Sequence, residues 1–137
     1  MHEYRSPALK RLNCLLSEMD AAYHEAALRQ GLNDSSSRIL YALCELGSPA
    51  SLRAVCESTG LSKQTVNSAL KNLEEVGYLR LESAPDSRKN KEIHLTDAGA
   101  ELLRRTADPV FAMEERAFRR LTEEEREAIL RLGRRNL

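Results

Sequence analysis

The residues best suited to chemistry lie in one short run, Ser62, Lys63, Gln64, Thr65, Asn67, Ser68 and Lys71, and the chemistry they fit is recognition of duplex DNA. Glutamine and asparagine amides pair bidentately with an adenine edge, hydroxyls bond to a base or a phosphate, and lysine neutralises phosphate charge. Any amphipathic surface helix shows polar side chains on its outer face. Here they crowd at the start of the run, and Glu74 and Glu75 come only after it. A helix that enters the major groove does so by its N-terminal half, so carboxylates belong at the far end. A second group follows in Arg88, Lys89 and Lys91, with Asp86 nearby. Its basic side chains suit phosphates or the minor groove, where a narrow groove attracts guanidinium groups.

Other chemistries find little support. Cys14, Cys44 and Cys56 are isolated, with no Cys-x-x-Cys spacing, and Cys44 and Cys56 sit among apolar neighbours as small core residues do. His2, His24 and His94 have no metal-ligand spacing, so no metal and no cofactor is expected. Without a nucleophile elbow, a phosphate-cradling glycine loop or a paired-carboxylate motif, the chain does not read as an enzyme.

The elements around the first run explain how it would be presented. Ser62 can cap a helix that Gly77 ends, and Val66, Ala69, Leu70, Leu73 and Val76 recur on its buried side. Before it, Ser51 can cap a short helix with Leu52 and Val55, and Thr59-Gly60-Leu61 forms a turn that sets two helices at a steep angle. After it the periodicity becomes roughly alternating. Tyr78 to Glu82 reads as one strand and Glu92 to Leu95 as its partner, joined by a charged loop from Ser83 to Lys91. The expected fold class is therefore mainly α, a winged helix-turn-helix with a two-stranded β-hairpin wing.

The run KQTVNSALKNLEEVGYL (Lys63 to Leu79), a basic hairpin and then LTDAG (Leu95 to Gly99) resemble the MarR (multiple-antibiotic-resistance regulator) family of bacterial transcription regulators. Length and helix order agree over nearly the whole chain. The family's wing carries Asp-x-Arg, with the Asp eight residues before the Leu-Thr pair. Asp86 and Arg88 keep that motif one residue further upstream, whereas a gapless register puts Ser87 and Lys89 there, leaving Arg88 and Lys89 as alternatives for the wing tip. Arg88 is the better physical choice, because a planar guanidinium suits a narrow groove and Asp86 can hold it in place. The resemblance further implies an effector pocket along Leu40, Tyr41, Leu43 and the helix after Thr96. Some family members sense peroxide through a first-helix cysteine beside tyrosines, which makes Cys14, with Tyr23 and Tyr41, a redox candidate. Packing is the stronger expectation for this thiol.

At 137 residues, 42% hydrophobic and 31% charged, the chain has the size of one winged helix-turn-helix domain, 1–137, with a reading head at 34–99. Twenty-one basic and 21 acidic side chains cancel to a net charge of +0, against the usual basic footprint of a nucleic-acid binder. The acids concentrate at Glu114, Glu115 and Glu123 to Glu127, away from the reading face. Segments 1–31 and 97–137 read as dimerisation helices. The first carries Leu9, Leu12, Leu15, Leu16, Met19, Ala22, Tyr23 and Ala26, and the second Leu102, Leu103, Val110, Phe111, Ala117 and Phe118, with Pro109 inside it. Thr122 and Glu125 form a capping box that opens a final helix. No run has membrane-spanning length and the start lacks the apolar core of a signal peptide, so a cytoplasmic location is expected. The sequence thus predicts a homodimeric regulator that binds double-stranded DNA at a pseudo-palindromic operator and answers to a small-molecule or redox effector. The alternative is a winged-helix module that binds protein, for which the reading face would need aromatic or apolar anchors.

Overall fold

Each helix begins where a short polar side chain caps it. The computed structural model describes residues 6–135, in the order α1 (Pro7–Arg29), α2 (Asp34–Leu46), β1 (Ala50–Ser51), α3 (Leu52–Thr59), α4 (Lys63–Glu75), β2 (Leu79–Ala84), β3 (Ser87–Leu95), α5 (Asp97–Arg119) and α6 (Glu123–Arg135). Ser6, Asn33, Ser51, Ser62 and Thr96 each accept a bond from the backbone N–H three residues on, at 2.8–3.2 Å. Thr122 and Glu125 exchange such bonds reciprocally, at 2.8 and 3.1 Å, so the capping box predicted for α6 is formed.

The core of the head lies where α2, α3 and α4 meet the sheet. Ile39, Leu43, Val55, Val66, Ala69, Leu70, Leu73, Leu79 and Ile93 are buried there, which packs α4 and the base of the hairpin into one core. A second cluster of Leu40, Leu102 and Ala107 seats the first turns of α5 on α2. That part of α5 therefore shares the head's packing as well as leading into the terminal helices.

Three features differ from the sequence reading. The sheet has three strands, ordered β1-β3-β2, because Ala50 and Ser51 pair with Ile93 and Glu92. The charged segment expected as a loop is mostly strand: β2 runs to Ala84 and β3 starts at Ser87, so only Pro85 and Asp86 turn. Val76, expected on the buried stripe of α4, is 66% exposed. It lies past the last helical residue, where Gly77 takes φ 91° and the N–H groups of Gly77 and Tyr78 close on the carbonyls of Glu74 and Leu73, turning Val76 off the stripe.

The Leu-Thr-x-x-Gly stretch acts as a joint. Thr96 donates from Oγ1 to the Gly77 carbonyl at 2.6 Å and from its backbone to the Tyr78 carbonyl at 3.1 Å. A Cβ at Gly99 would stand 1.8 Å from the Tyr78 oxygen, so only glycine lets α5 start this close to the end of α4. Among the described residues no helix is long and apolar enough to cross a membrane.

Candidate nucleic-acid interface

The two helices of the head are set by the turn between them. Gly60 adopts the left-handed conformation at φ 68° and closes on the Cys56 carbonyl, while Thr59 Oγ1 accepts from Leu61 N–H at 3.3 Å. With Val66, Ala69, Leu70 and Leu73 held in the core, the rest of α4 is turned outward. Lys63, Gln64, Asn67, Ser68 and Lys71 are all exposed. Gln64, Asn67, Ser68 and Lys71 follow the spacing that puts four side chains on one face over two turns. Ser62 and Thr65 are engaged differently. The Ser62 hydroxyl accepts from Thr65 N–H at 3.1 Å and donates to Thr65 Oγ1 at 2.8 Å, so these two hydroxyls first hold the helix start in shape.

No aromatic or large aliphatic side chain interrupts that outward face. At its far end Glu74 Oε2 accepts from the Leu81 backbone N–H at 2.8 Å, which ties α4 to β2. This carboxylate is structural, a role that sequence spacing does not reveal.

The wing tip carries a bulge. Ser83 pairs with Lys91 and Ala84 with Ser87, so Arg88, Lys89 and Asn90 bow out opposite no partner residue. All three are exposed. Ser83 Oγ reaches the Arg88 carbonyl at 3.5 Å, Ser87 Oγ accepts from Lys89 N–H at 3.2 Å, and Lys91 Nζ donates to Ser83 Oγ at 3.3 Å. Among the described residues no ion pair joins Asp86 to Arg88, so Arg88 is not held as the sequence suggested. Asp86 sits in the turn itself, whereas Arg88 lies in the bulge, on a different backbone course.

Behind the reading head a cavity of about 680 Å³ opens between α1, α2, α5 and the end of α3. Leu40 and Tyr41 line it as expected, but Leu43 does not, being packed in the main core of the head. The group that sequence reasoning missed is Glu114. Its carboxylate accepts from Tyr23 on α1 through one oxygen and from Tyr41 on α2 through the other. These residues are 91 and 73 positions apart, so no local pattern announces the contact. Burial, then the hydrogen bond to Glu114 and its charge, push the Tyr23 phenol up to about 12, and the same causes with Glu45 added push Tyr41 higher still. Both phenols therefore remain donors at neutral pH. His24 Nδ1 lies 2.8 Å from Asp34 at the same cavity.

The cysteines sort by environment. Cys44 packs against the second cluster and donates to Asp108 at 3.1 Å, and burial followed by that carboxylate pushes its thiol up to about 11. Such a thiol is poorly nucleophilic. Cys56 packs against the main core. Cys14 is exposed on α1, and nine residues of helix place it roughly 13 Å along the axis from Tyr23, not beside it. His94 faces Glu92 and Glu82 on the wing at 3.1 and 3.4 Å, and His2 lies outside the described residues.

A steep helix pair whose second member presents a polar face and leads into a hairpin defines the winged helix-turn-helix class. Residues 30–89 match the model of the MarR family. Solved structures carry the likeness of fold across nearly the whole chain. Sco3205, a MarR family transcriptional regulator from Streptomyces coelicolor solved in complex with DNA, is 24% identical, with 98% of this chain and 88% of that one covered and a TM-score of 0.69. MepR of S. aureus in its DNA-binding conformation is 18% identical over 95% and 96% of the two chains, with a TM-score of 0.76. PcaV from Streptomyces coelicolor, solved with its natural ligand, is 20% identical over 97% and 96%, with a TM-score of 0.68. No curated protein matches the chain in sequence.

Proposed function

We propose that the chain is a cytoplasmic transcription regulator that binds a pseudo-palindromic DNA operator as a homodimer and answers to a small molecule in the cavity behind the head. The observation that carries this reading is the exposed face of Gln64, Asn67, Ser68 and Lys71 on the first turns of α4, free of apolar anchors. Gln64 and Asn67 supply base readout, and Lys63, Lys71, Lys89 and Lys91 supply phosphate contacts. Arg88 supplies the minor-groove contact, since it is exposed in the bulge at the wing tip. Fold neighbours solved with DNA and with a ligand support both halves of the reading.

The test is selection of bound duplexes from a random pool, followed by footprinting. Enrichment of a two-fold symmetric site whose half-sites lie about one helical turn apart supports the proposal. Recovery of no preferred sequence, with retention of a protein partner on the α4 face, overturns it.

A further inference from the structure

The cavity behind the head has a charge character of its own. Four carboxylates line it, Asp20 from α1, Asp34 and Glu45 from α2 and Glu114 from α5. Against them stand one guanidinium, Arg38, and His24, which is already engaged with Asp34. Asp20, Asp34 and Glu45 are exposed around the opening, whereas Glu114 is half-buried deeper in. Leu40, Leu61 and Val110 give an apolar wall, and the hydroxyls of Tyr23 and Tyr41 meet the Glu114 carboxylate.

We propose that this cavity selects a cation, an aromatic or amphiphilic amine whose ammonium lies against Glu114 between the two tyrosines and whose apolar body rests on Leu40, Leu61 and Val110. The inference deepens the effector reading above and rests on it for its biological sense, though not for its chemistry. An ionised carboxylate inside a cleft focuses field lines and raises the local concentration of the opposite charge. Two phenols donate to Glu114 and leave each oxygen a further lone pair, so an ammonium can bond there without displacing them. Tyr23 and Tyr41 both line the cavity, and an electron-rich ring attracts a cation and not an anion. A carboxylate ligand would need Arg38 for its partner while sitting in the field of four like charges.

The test compares two probes that share an aromatic tail and differ in charge, phenylbutylammonium and phenylbutyrate, by calorimetry on the full chain without DNA. The ammonium is expected to bind at least about tenfold more tightly than the carboxylate, a difference of roughly 1.4 kcal/mol. Glu114→Gln, which keeps shape and removes charge, is expected to shrink that preference, whereas Arg38→Ala leaves the ammonium affinity unchanged or tighter. Should Glu114→Gln fail to fold, Asp20→Asn and Glu45→Gln at the exposed rim make the same comparison and should narrow the preference in the same direction. Equal or tighter binding of the carboxylate overturns the proposal. So does absence of ammonium binding at millimolar concentration, or a preference unmoved by every acidic substitution. Because no DNA is present, these failures leave the operator reading standing, and failure to select an operator leaves the cation preference measurable.

Discussion

Asn67 and Gln64 differ from Lys71 in what each can distinguish on a duplex. An amide matches the donor and acceptor pair of one base edge, so losing it removes about 1–3 kcal/mol of discrimination, whereas an ammonium meets a phosphate that every sequence carries. Asn67→Ala and Gln64→Ala should therefore lower operator affinity and leave random-DNA affinity nearly unchanged. Lys71→Ala should weaken both alike and flatten the salt dependence, all measured by titrated gel shift at several salt concentrations. Retained preference in the two amide variants would move the reading face elsewhere on α4. Tyr23 and Tyr41 make a second residue-scale case, because burial and Glu114 raise both phenols above the ordinary value of 10.0. As pH climbs past that value the unfolded chain gives up these protons while the folded chain keeps them. Folding stability should thus hold below pH 10 and fall from there towards about 12, where Tyr23 itself titrates. Tyrosinate absorbance should show two late-titrating groups, and Glu114→Gln should bring them down part of the way, since burial, the larger cause, remains. Ordinary titration of every tyrosine in the unaltered chain would mean that the Tyr23–Glu114–Tyr41 contact does not form in solution.

At the scale of elements, the joint and the wing carry separate predictions. Gly99→Ala drives a methyl into the Tyr78 carbonyl, where the obstacle is backbone and cannot rotate away. The cost should reach or exceed the roughly 1–3 kcal/mol of ordinary overpacking, read as a lower denaturation midpoint with little change in slope. A midpoint within error of the unaltered chain would show that α5 and α4 do not meet so closely. In the wing, Arg88→Ala should weaken operator binding more than Lys89→Ala, and Arg88→Lys should not restore it, because a point charge does not replace a planar fork in a narrow groove. Equal losses at both positions would mean that the bulge offers only diffuse positive charge. How far these elements could be read in advance follows from how local their signals are. Ser51, Ser62, Thr96 and Thr122 announce helix starts because a cap and its target N–H lie three residues apart. The outer halves of β2 and β3 were hidden because both faces of the wing tip are solvated, so no apolar alternation marks them. β1 escaped notice because two residues carry no period, and its pairing with Ile93 and Glu92 lies more than forty positions away. The polar outward face of α4 was legible for the opposite reason, since one helix displays all of it, whereas the cavity draws on four helices that only the tertiary fold brings together.

The whole molecule poses a problem that one chain does not solve. Within α1 only Ala27 is buried, while Leu12, Leu15, Leu16 and Met19 stand 49–57% exposed, and Ile129 and Leu130 on α6 are 53% and 56% exposed. A long apolar face left in water is rare on a monomer, since each such side chain gains roughly 1.5–3 kcal/mol on full burial. The head draws no core residue from this face, as its buried cluster comes from α2, α3, α4 and the sheet. We propose that a second copy, paired through the same helices about a two-fold axis, covers the face and brings two α4 helices to one side of a duplex, with half-sites about one turn apart. Light scattering at micromolar concentration should give the mass of a dimer. Leu12→Glu with Leu16→Glu places charge in the centre of the seam and should give a monomer whose head keeps its helical signal and cooperative melting. That monomer should bind a single half-site weakly and lose the tight binding of the full operator, because the two half-sites are no longer linked. A monomeric mass for the unaltered chain, or a doubly substituted chain that still scatters as a dimer, would show that the seam lies elsewhere.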